Sequence, residues 1–353
     1  MLLPLMSFLS SCYFLVVKIR RFSYLYGLKK NEELFLFPVI SVGNLSMGGT
    51  GKTPMTTFLA NYFNLEKKKK VAVAMRAHRS KVEKKELLLK KREGDFYDPL
   101  RFGDEAGIYW HAPSSPFLFL GRKRSLNIKK HLKGSFFHLL LLDDGFQHYQ
   151  IRRDVDILLL DSMMSLEAYT LVPKGSLRVP FSEICHSDII IFTRWDLISL
   201  EKQEKLKQKV RSILKEEKPL FFSRSKITSL IRSDTLQEIS SKEVQESSLL
   251  LISGIGNPAS FEMAMKELSR GKVEHLIFED HSSFENLNWD DALKKIPSMF
   301  DYIVVTEKDF MKIKKIIRHP SLLIVKSELD FFGKENELLT LIDELIKKRF
   351  PSW

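Results

Sequence analysis

The stretch Ser41–Pro54, SVGNLSMGGTGKTP, constrains this chain more than any other. An apolar run, FLFPVI, leads into it, and a helical pattern from Pro54 to Phe63 follows. Strand, glycine-rich loop and helix form the context in which Gly48, Gly49, Thr50, Gly51, Lys52 and Thr53 wrap phosphates. Glycines let backbone N–H groups turn inward, and the helix N-terminus adds partial positive charge. In such a loop Lys52 reaches the β- and γ-phosphates and the Thr53 hydroxyl ligates magnesium. The strict pattern has glycine where this chain has Ser46.

A second signal is LLLLDDGFQH, Leu139–His148. Asp143 and Asp144 end an apolar run, the place where phosphate-loop proteins carry a magnesium-holding acid. Adjacent carboxylates divide the work: one faces the metal or its waters, the other a neighbour. The plain structural alternative is an Asp-Asp-Gly turn closing a strand.

Apolar runs recur at 34–42, 71–75, 136–142, 155–160, 188–192, 248–254, 275–278, 301–305 and 321–325. They are nearly continuous rather than alternating, as strands buried on both faces of a parallel sheet are. Helical stretches lie between them, so the expected fold is α/β, a doubly wound, mostly parallel sheet of the phosphate-loop NTPase kind. The turn-rich KGSLRVPFSEICH suggests a boundary. The expected division is an N-terminal segment 1–28, a nucleotide-binding domain 29–180 and a smaller α/β domain 181–353. Asn336–Arg349 reads as an amphipathic packing helix.

The N-terminus, MLLPLMSFLSSCYFLVV followed by KIRRFSYLYGLKK, is apolar and then basic. It lacks the charge order and cleavage site of a signal peptide. The apolar part is shorter than the roughly 20 residues of a full span. An interfacial anchor fits better, with apolar side chains in lipid and Lys18, Arg20 and Arg21 at anionic headgroups. The net charge of +12 agrees with an anionic partner. No nucleic-acid motif is present. The two distant cysteines, Cys12 and Cys185, make neither a disulfide framework nor a zinc spacing.

GNLSMGGTGKTP together with DDGFQHYQIRRD resembles the tetraacyldisaccharide 4'-kinase family. The likeness continues through FGDEAG (102–107), GRKR (121–124), LVPKGSLR (171–178), SGIGNPASF (253–261), FEDHSSF (278–284) and VTEKD (305–309). It implies transfer of the γ-phosphate of ATP, with magnesium, to the 4'-hydroxyl of a lipid A precursor, at the cytoplasmic face of the inner membrane. It further implies that Asp104 and His281 activate the acceptor hydroxyl, that Asp143 and Asp144 serve the metal and nearby groups, and that Gln147 and His148 line the site. Arg124 is expected to contact phosphate. Glu105 is the alternative to Asp104. An Asp beside a His is a sound base, because the carboxylate fixes the imidazole tautomer and raises its basicity.

The chain departs from the family pattern at Arg76, Ala77 and His78, where a glycine-rich stretch is usual. Val179 stands where an acid commonly follows the arginine, and EDHSSF has one histidine where relatives often have two. A competing reading is a GTPase switch or metallochaperone. TRWD (193–196) superficially resembles a guanine-reading motif, but Arg194 replaces its lysine. A non-catalytic, membrane-anchored ATP-binding scaffold is the remaining reading, and the paired carboxylates argue against it.

Overall fold

The computed structural model describes residues 2–26, 28, 37–78, 80–134, 136–279, 284, 299–313 and 319–353. The chain divides into two compact units. The first comprises Met1–Tyr97, Arg101–Arg224 and Asp330–Trp353; the second comprises Asp98–Leu100 and Ser225–Leu329.

The first unit is built on an eight-stranded sheet. Its strands are β1 (Val39–Asn44), β2 (Val71–Met75), β3 (Leu87–Leu89), β4 (Phe117–Leu120), β5 (Leu139–Asp143), β6 (Val155–Asp161), β7 (Ile189–Thr193) and β8 (Leu220–Phe222). The order is β3-β4-β2-β5-β1-β6-β7-β8. All the pairings are parallel except the edge pair β3–β4. β1, β2, β5, β6 and β7 are buried along their whole length. Burial on both faces is why their sequences read as unbroken apolar runs. β1 lies between β5 and β6. The loops after β1 and β5 therefore emerge side by side at the carboxyl end of the sheet, where ligands bind in this architecture.

The helices of this unit include α1 (Leu2–Leu25), α2 (Lys52–Asn61), α4 (Asp104–His111) and α5 (Arg124–Leu132); the single-turn α3 (Pro99–Phe102) ahead of α4 is shared between the two units in sequence. The expected boundary at residue 181 falls inside this unit. Phe181–His186 is a 3-10 turn, and β7 and β8 beyond it continue the same sheet. The C-terminal segment also returns to this unit. Tyr62 Oη donates to Asp343 Oδ2 at 3.0 Å, Lys67 pairs with Asp343 at 3.0 Å, and Arg349 pairs with Asp154 at 2.7 Å. The helix Glu335–Lys347 packs Leu338, Leu339, Ile342 and Ile346 inward.

The second unit has a six-stranded sheet of β9 (Arg224–Arg232), β10 (Glu238–Ile239), β11 (Leu249–Ser253), β12 (Val273–Ile277), β13 (Tyr302–Thr306) and β14 (Leu322–Asp330). The order is β10-β9-β14-β13-β11-β12. β11 pairs in parallel with β12 and β13, and β13 with β14. The carboxyl end of β11 is tied by a buried acid. Asp309 is fully buried and accepts from the Gly254 N–H at 3.1 Å, from Thr306 Oγ1 at 2.8 Å and from Lys312 Nζ at 3.1 Å. The SGIG and TEKD motifs thus meet around one carboxylate.

No helix among the described residues is long and apolar enough to cross a membrane. α1 lies against the first unit by one face. Ser10 Oγ donates to the Leu171 carbonyl at 3.1 Å, and Tyr13 Oη donates to the Arg178 carbonyl at 3.0 Å. Arg21 pairs with Glu183, and Val17 packs on the core. The opposite face leaves Phe8, Leu15, Val16, Ile19 and Phe22 more than half exposed.

Candidate active site

The phosphate loop leaves β1 and enters α2. Gly48 and Gly51 hold φ of 98° and 91°, conformations in which glycine has no steric penalty. Ser46 needs no such freedom. It is extended and forms an antiparallel bridge with Leu177, which is why a side chain is tolerated there. Met47 N–H donates to the Ser176 carbonyl at 2.9 Å, and Arg178 N–H donates to the Leu45 carbonyl at 2.7 Å. These bonds pin the KGSLR segment along the phosphate loop. Gly43 is required by the facing DGF turn, since a Cβ there would come within 2.4 Å of Phe146 Cβ.

The two adjacent acids face different partners. Asp143 is buried and accepts from Tyr109 Oη at 2.7 Å and from Thr53 Oγ1 at 3.3 Å. Burial, and then the charge of Glu105, push its carboxyl up to about 6. Asp144 takes a left-handed φ of 54°, which turns its side chain away from that of Asp143. It accepts two bonds from Arg178, Nη1 to Oδ2 at 3.1 Å and Nη2 to Oδ1 at 2.8 Å, and Lys52 Nζ lies 3.9 Å from Oδ1. Burial alone would raise the Asp144 carboxyl. The Arg178 hydrogen bonds and the charges of Lys52, Arg178 and Arg124 reverse this and hold it well below the ordinary carboxylate range. Asn44 joins the set, accepting from Arg178 at 2.5 Å and from Lys52 at 3.2 Å.

Arg124 opens α5, is buried, and donates to the Asp144 carbonyl at 3.0 Å, so it braces the backbone of the carboxylate turn. Gln147 Nε2 and His148 Nε2 are buried and have no hydrogen-bond partner among the described residues. Unpaired buried polar atoms of this kind mark a place for a ligand or water. Desolvation, then Arg124, Arg153 and Arg20, push the His148 imidazole down to about 3. Asp104 begins α4, whose Tyr109 reaches Asp143. Of the GDE pair, it is Glu105 whose charge bears on Asp143. His281 lies outside the described residues.

Arg178, Tyr109 and Asn44 are site side chains that were not singled out from sequence. Val179, next to Arg178, is buried in an apolar cluster, so the backbone does not present that position to the site. In the divergent MRAHRS stretch, Ala77 adopts φ 53°, and Arg76 pairs with Glu83 at 2.6 Å. Arg194 of TRWD turns back to the phosphate loop. It donates to the Gly49 carbonyl at 2.6 Å and pairs with Asp161 at 2.8 Å.

The sequence profile described as tetraacyldisaccharide-1-P 4'-kinase matches residues 2–347. The chain belongs to this family. It is 30% identical over 317 residues to the tetraacyldisaccharide 4'-kinase of Bdellovibrio bacteriovorus, covering 88% of this chain and 90% of the relative. The tetraacyldisaccharide 4'-kinase of Halothermothrix orenii is 29% identical over 330 residues, covering 89% and 85%. Among solved structures, LpxK from Aquifex aeolicus, crystallised in complex with ATP, superposes with a TM-score of 0.75. It is 25% identical, with 98% of this chain and 100% of that chain covered.

Proposed function

We propose that this chain transfers the γ-phosphate of ATP to the 4'-hydroxyl of a tetraacyldisaccharide 1-phosphate, a step of lipid A biosynthesis. The observation that carries the reading is one cluster: Lys52 and Thr53 of the phosphate loop against Asp143, Asp144 and Arg178, in a chain matched by this family over residues 2–347.

Phosphoryl transfer asks a protein mainly for positioning and charge neutralisation. Lys52 supplies one positive charge at the β- and γ-phosphates, held ready by Asn44. Arg178 supplies a planar fork that stays charged, aimed along Asp144. Thr53 Oγ1 and Asp143 Oδ2 are hard oxygen donors 3.3 Å apart, a set that fits magnesium. Among the described residues no group of three or more His, Cys, Asp or Glu side chains is placed to hold a metal. Two protein oxygens suit magnesium, which usually keeps several waters and is held through one or two carboxylates plus substrate phosphates. When bound, the ion supplies charge neutralisation between the phosphates. Asp143 and Thr53 would hold it, while Asp144, engaged by Arg178, keeps the two cations in register. Asp104 and His281 are assigned to the proton of the acceptor hydroxyl.

The exposed apolar face of α1, with Lys18 and Arg20 on the same helix, supports peripheral attachment to an anionic bilayer surface, at the cytoplasmic face of the inner membrane. The helix would lie on the bilayer rather than cross it. High salt should weaken this attachment; unchanged attachment would remove the electrostatic part.

The deciding experiment gives the full chain in detergent γ-labelled ATP, magnesium and a tetraacyldisaccharide 1-phosphate, beside Lys52→Ala and His281→Ala. Label on the lipid, lost in both variants, is the expected result. Label retained by the His281 variant removes that residue from the mechanism, and hydrolysis of ATP or GTP without transfer sinks the kinase reading.

A further inference from the structure

A cavity of about 320 Å³ lies in the first unit, off the phosphate loop. Arg21 and Tyr24 of α1 form one side, and Tyr149, Arg152, Arg153 and His186 line the rest. Phe146, Ile151 and Glu183 complete the lining. Three guanidinium groups thus meet around one small volume.

Two of the three are oriented by internal partners. Arg21 is paired with Glu183. Arg153 pairs through Nε with Asp156 at 2.9 Å, and its Nη1 donates to the carbonyls of Gly145 and Phe146 at 3.2 and 3.0 Å. Arg152 is exposed at the rim. The Tyr24 and Tyr149 rings stand 5.5 Å apart and give the cavity an aromatic wall. Against these three guanidinium groups the lining holds one carboxylate, Glu183, so its charge balance is positive. His186 is pushed down to about 4, first by desolvation and then by Arg21, Lys218, Arg153 and Lys18. A cavity that keeps its own imidazole neutral and presents guanidinium forks is suited to an anion, and phosphate matches the fork best.

The location narrows the anion further. Phe146 is two residues from Asp144, so the two Cα atoms are at most about 7 Å apart. Phe146 thus brings one wall of the cavity next to the carboxylate turn at Asp144. The exposed apolar residues of α1 continue from Arg21 toward Phe8 and offer a path for acyl chains. We propose that this cavity receives the phosphate at the reducing end of the acceptor, with Arg21, Arg152 and Arg153 as its recognition set. The assignment rests on the kinase reading and adds the place where the existing phosphate is recognised. A bilayer glycerophospholipid carries the same phosphate chemistry and is the competing source.

Binding of a short-chain acylated glucosamine disaccharide, with and without its 1-phosphate, tests this. It is measured on the full chain in neutral detergent without nucleotide. Arg152→Gln removes an exposed cation, and Arg21→Gln is made together with Glu183→Gln so that no buried carboxylate is left unpaired. Thermal unfolding matched to the wild type checks the fold of each. The wild type should prefer the phosphorylated ligand. Each variant should weaken that ligand about ten-fold and leave the dephosphorylated one unchanged. Equal weakening of both ligands, or of neither, overturns the proposal. So does an intact ligand preference combined with lost binding to phosphatidylglycerol-containing vesicles, which would assign the cavity to bilayer lipid. Because no ATP is present, a failure of phosphate transfer would be seen separately and would count against the kinase reading alone.

Discussion

Arg178 holds Asp144 through both carboxylate oxygens, at 3.1 and 2.8 Å, and reaches Asn44 with the same guanidinium. Asn44 in turn accepts from Lys52 at 3.2 Å. One arginine therefore sets the position of the acid and, through Asn44, that of the phosphate-loop lysine. Arg178→Ala should lower kcat about 10²- to 10³-fold, the usual cost of removing a preorganised charge at a transition state. Arg178→Lys should recover little of this, because an ammonium cannot make the bidentate contact. Steady-state transfer rates decide; a kcat within a few-fold of wild type for the alanine variant would refute the role.

Arg194 couples the phosphate loop to β6, through the Gly49 carbonyl and Asp161. Its removal should loosen the loop before nucleotide arrives. Arg194→Ala is expected to raise KM for ATP about ten-fold with kcat little changed, since an interaction lost equally in ground and transition states appears in KM. A fall in kcat at constant KM would contradict this.

His148 makes a prediction about acid stability. Its folded-state pKa, about 3, lies below the ordinary 6.5. Between these values the unfolded chain binds a proton that the folded chain does not. Stability is therefore lost as pH falls from about 6.5, by at most about 1.4 kcal/mol per pH unit for one fully coupled group. Asp156 acts in the opposite sense. Burial raises its carboxyl to about 6, so its contribution grows as pH falls from about 6 toward 4. Comparing His148→Gln with the wild type cancels the Asp156 part. The melting temperature of the variant should fall less steeply than that of the wild type between pH 6.5 and 5, and parallel curves would exclude the effect.

Asp309 and Lys312 form a buried pair in the second unit, with side chains 0% and 6% exposed. Asp309→Ala takes the buried carboxylate away from Lys312 and removes the acceptor of the Gly254 N–H. A loss of about 3–5 kcal/mol is expected. Urea unfolding measures it, with hydrogen exchange localising the loss to β11 and β13. A change below about 1 kcal/mol would show that the pair is not needed.

Much of the first sheet was legible because parallel strands buried on both faces leave continuous apolar runs, and each run expected from the sequence overlaps a strand. β9 was not legible. RSKITSLIR interleaves charges and leaves most of its side chains at least partly exposed, so it presents no apolar run. The boundary was misplaced for a different reason. Turn-rich residues 174–186 are a surface connection within one sheet, and no local signal announces that residues 330–353 return to the first unit. The phosphate loop and the paired acids were legible because their chemistry is local in sequence. Tyr109 and Arg178 were not, since they reach Asp143 and Asp144 across 34 residues each.

α1 does more than present an apolar face. Ser10 Oγ donates to the Leu171 carbonyl and accepts from the Lys174 N–H, while Tyr13 holds the carbonyl of Arg178 itself. The greasy helix is thus the outer wall of the loop that carries the arginine. Trimming the first 25 residues to obtain a better-behaved protein would also unbuckle that loop. The truncated enzyme should be crippled toward dispersed acceptors too, where no bilayer is involved.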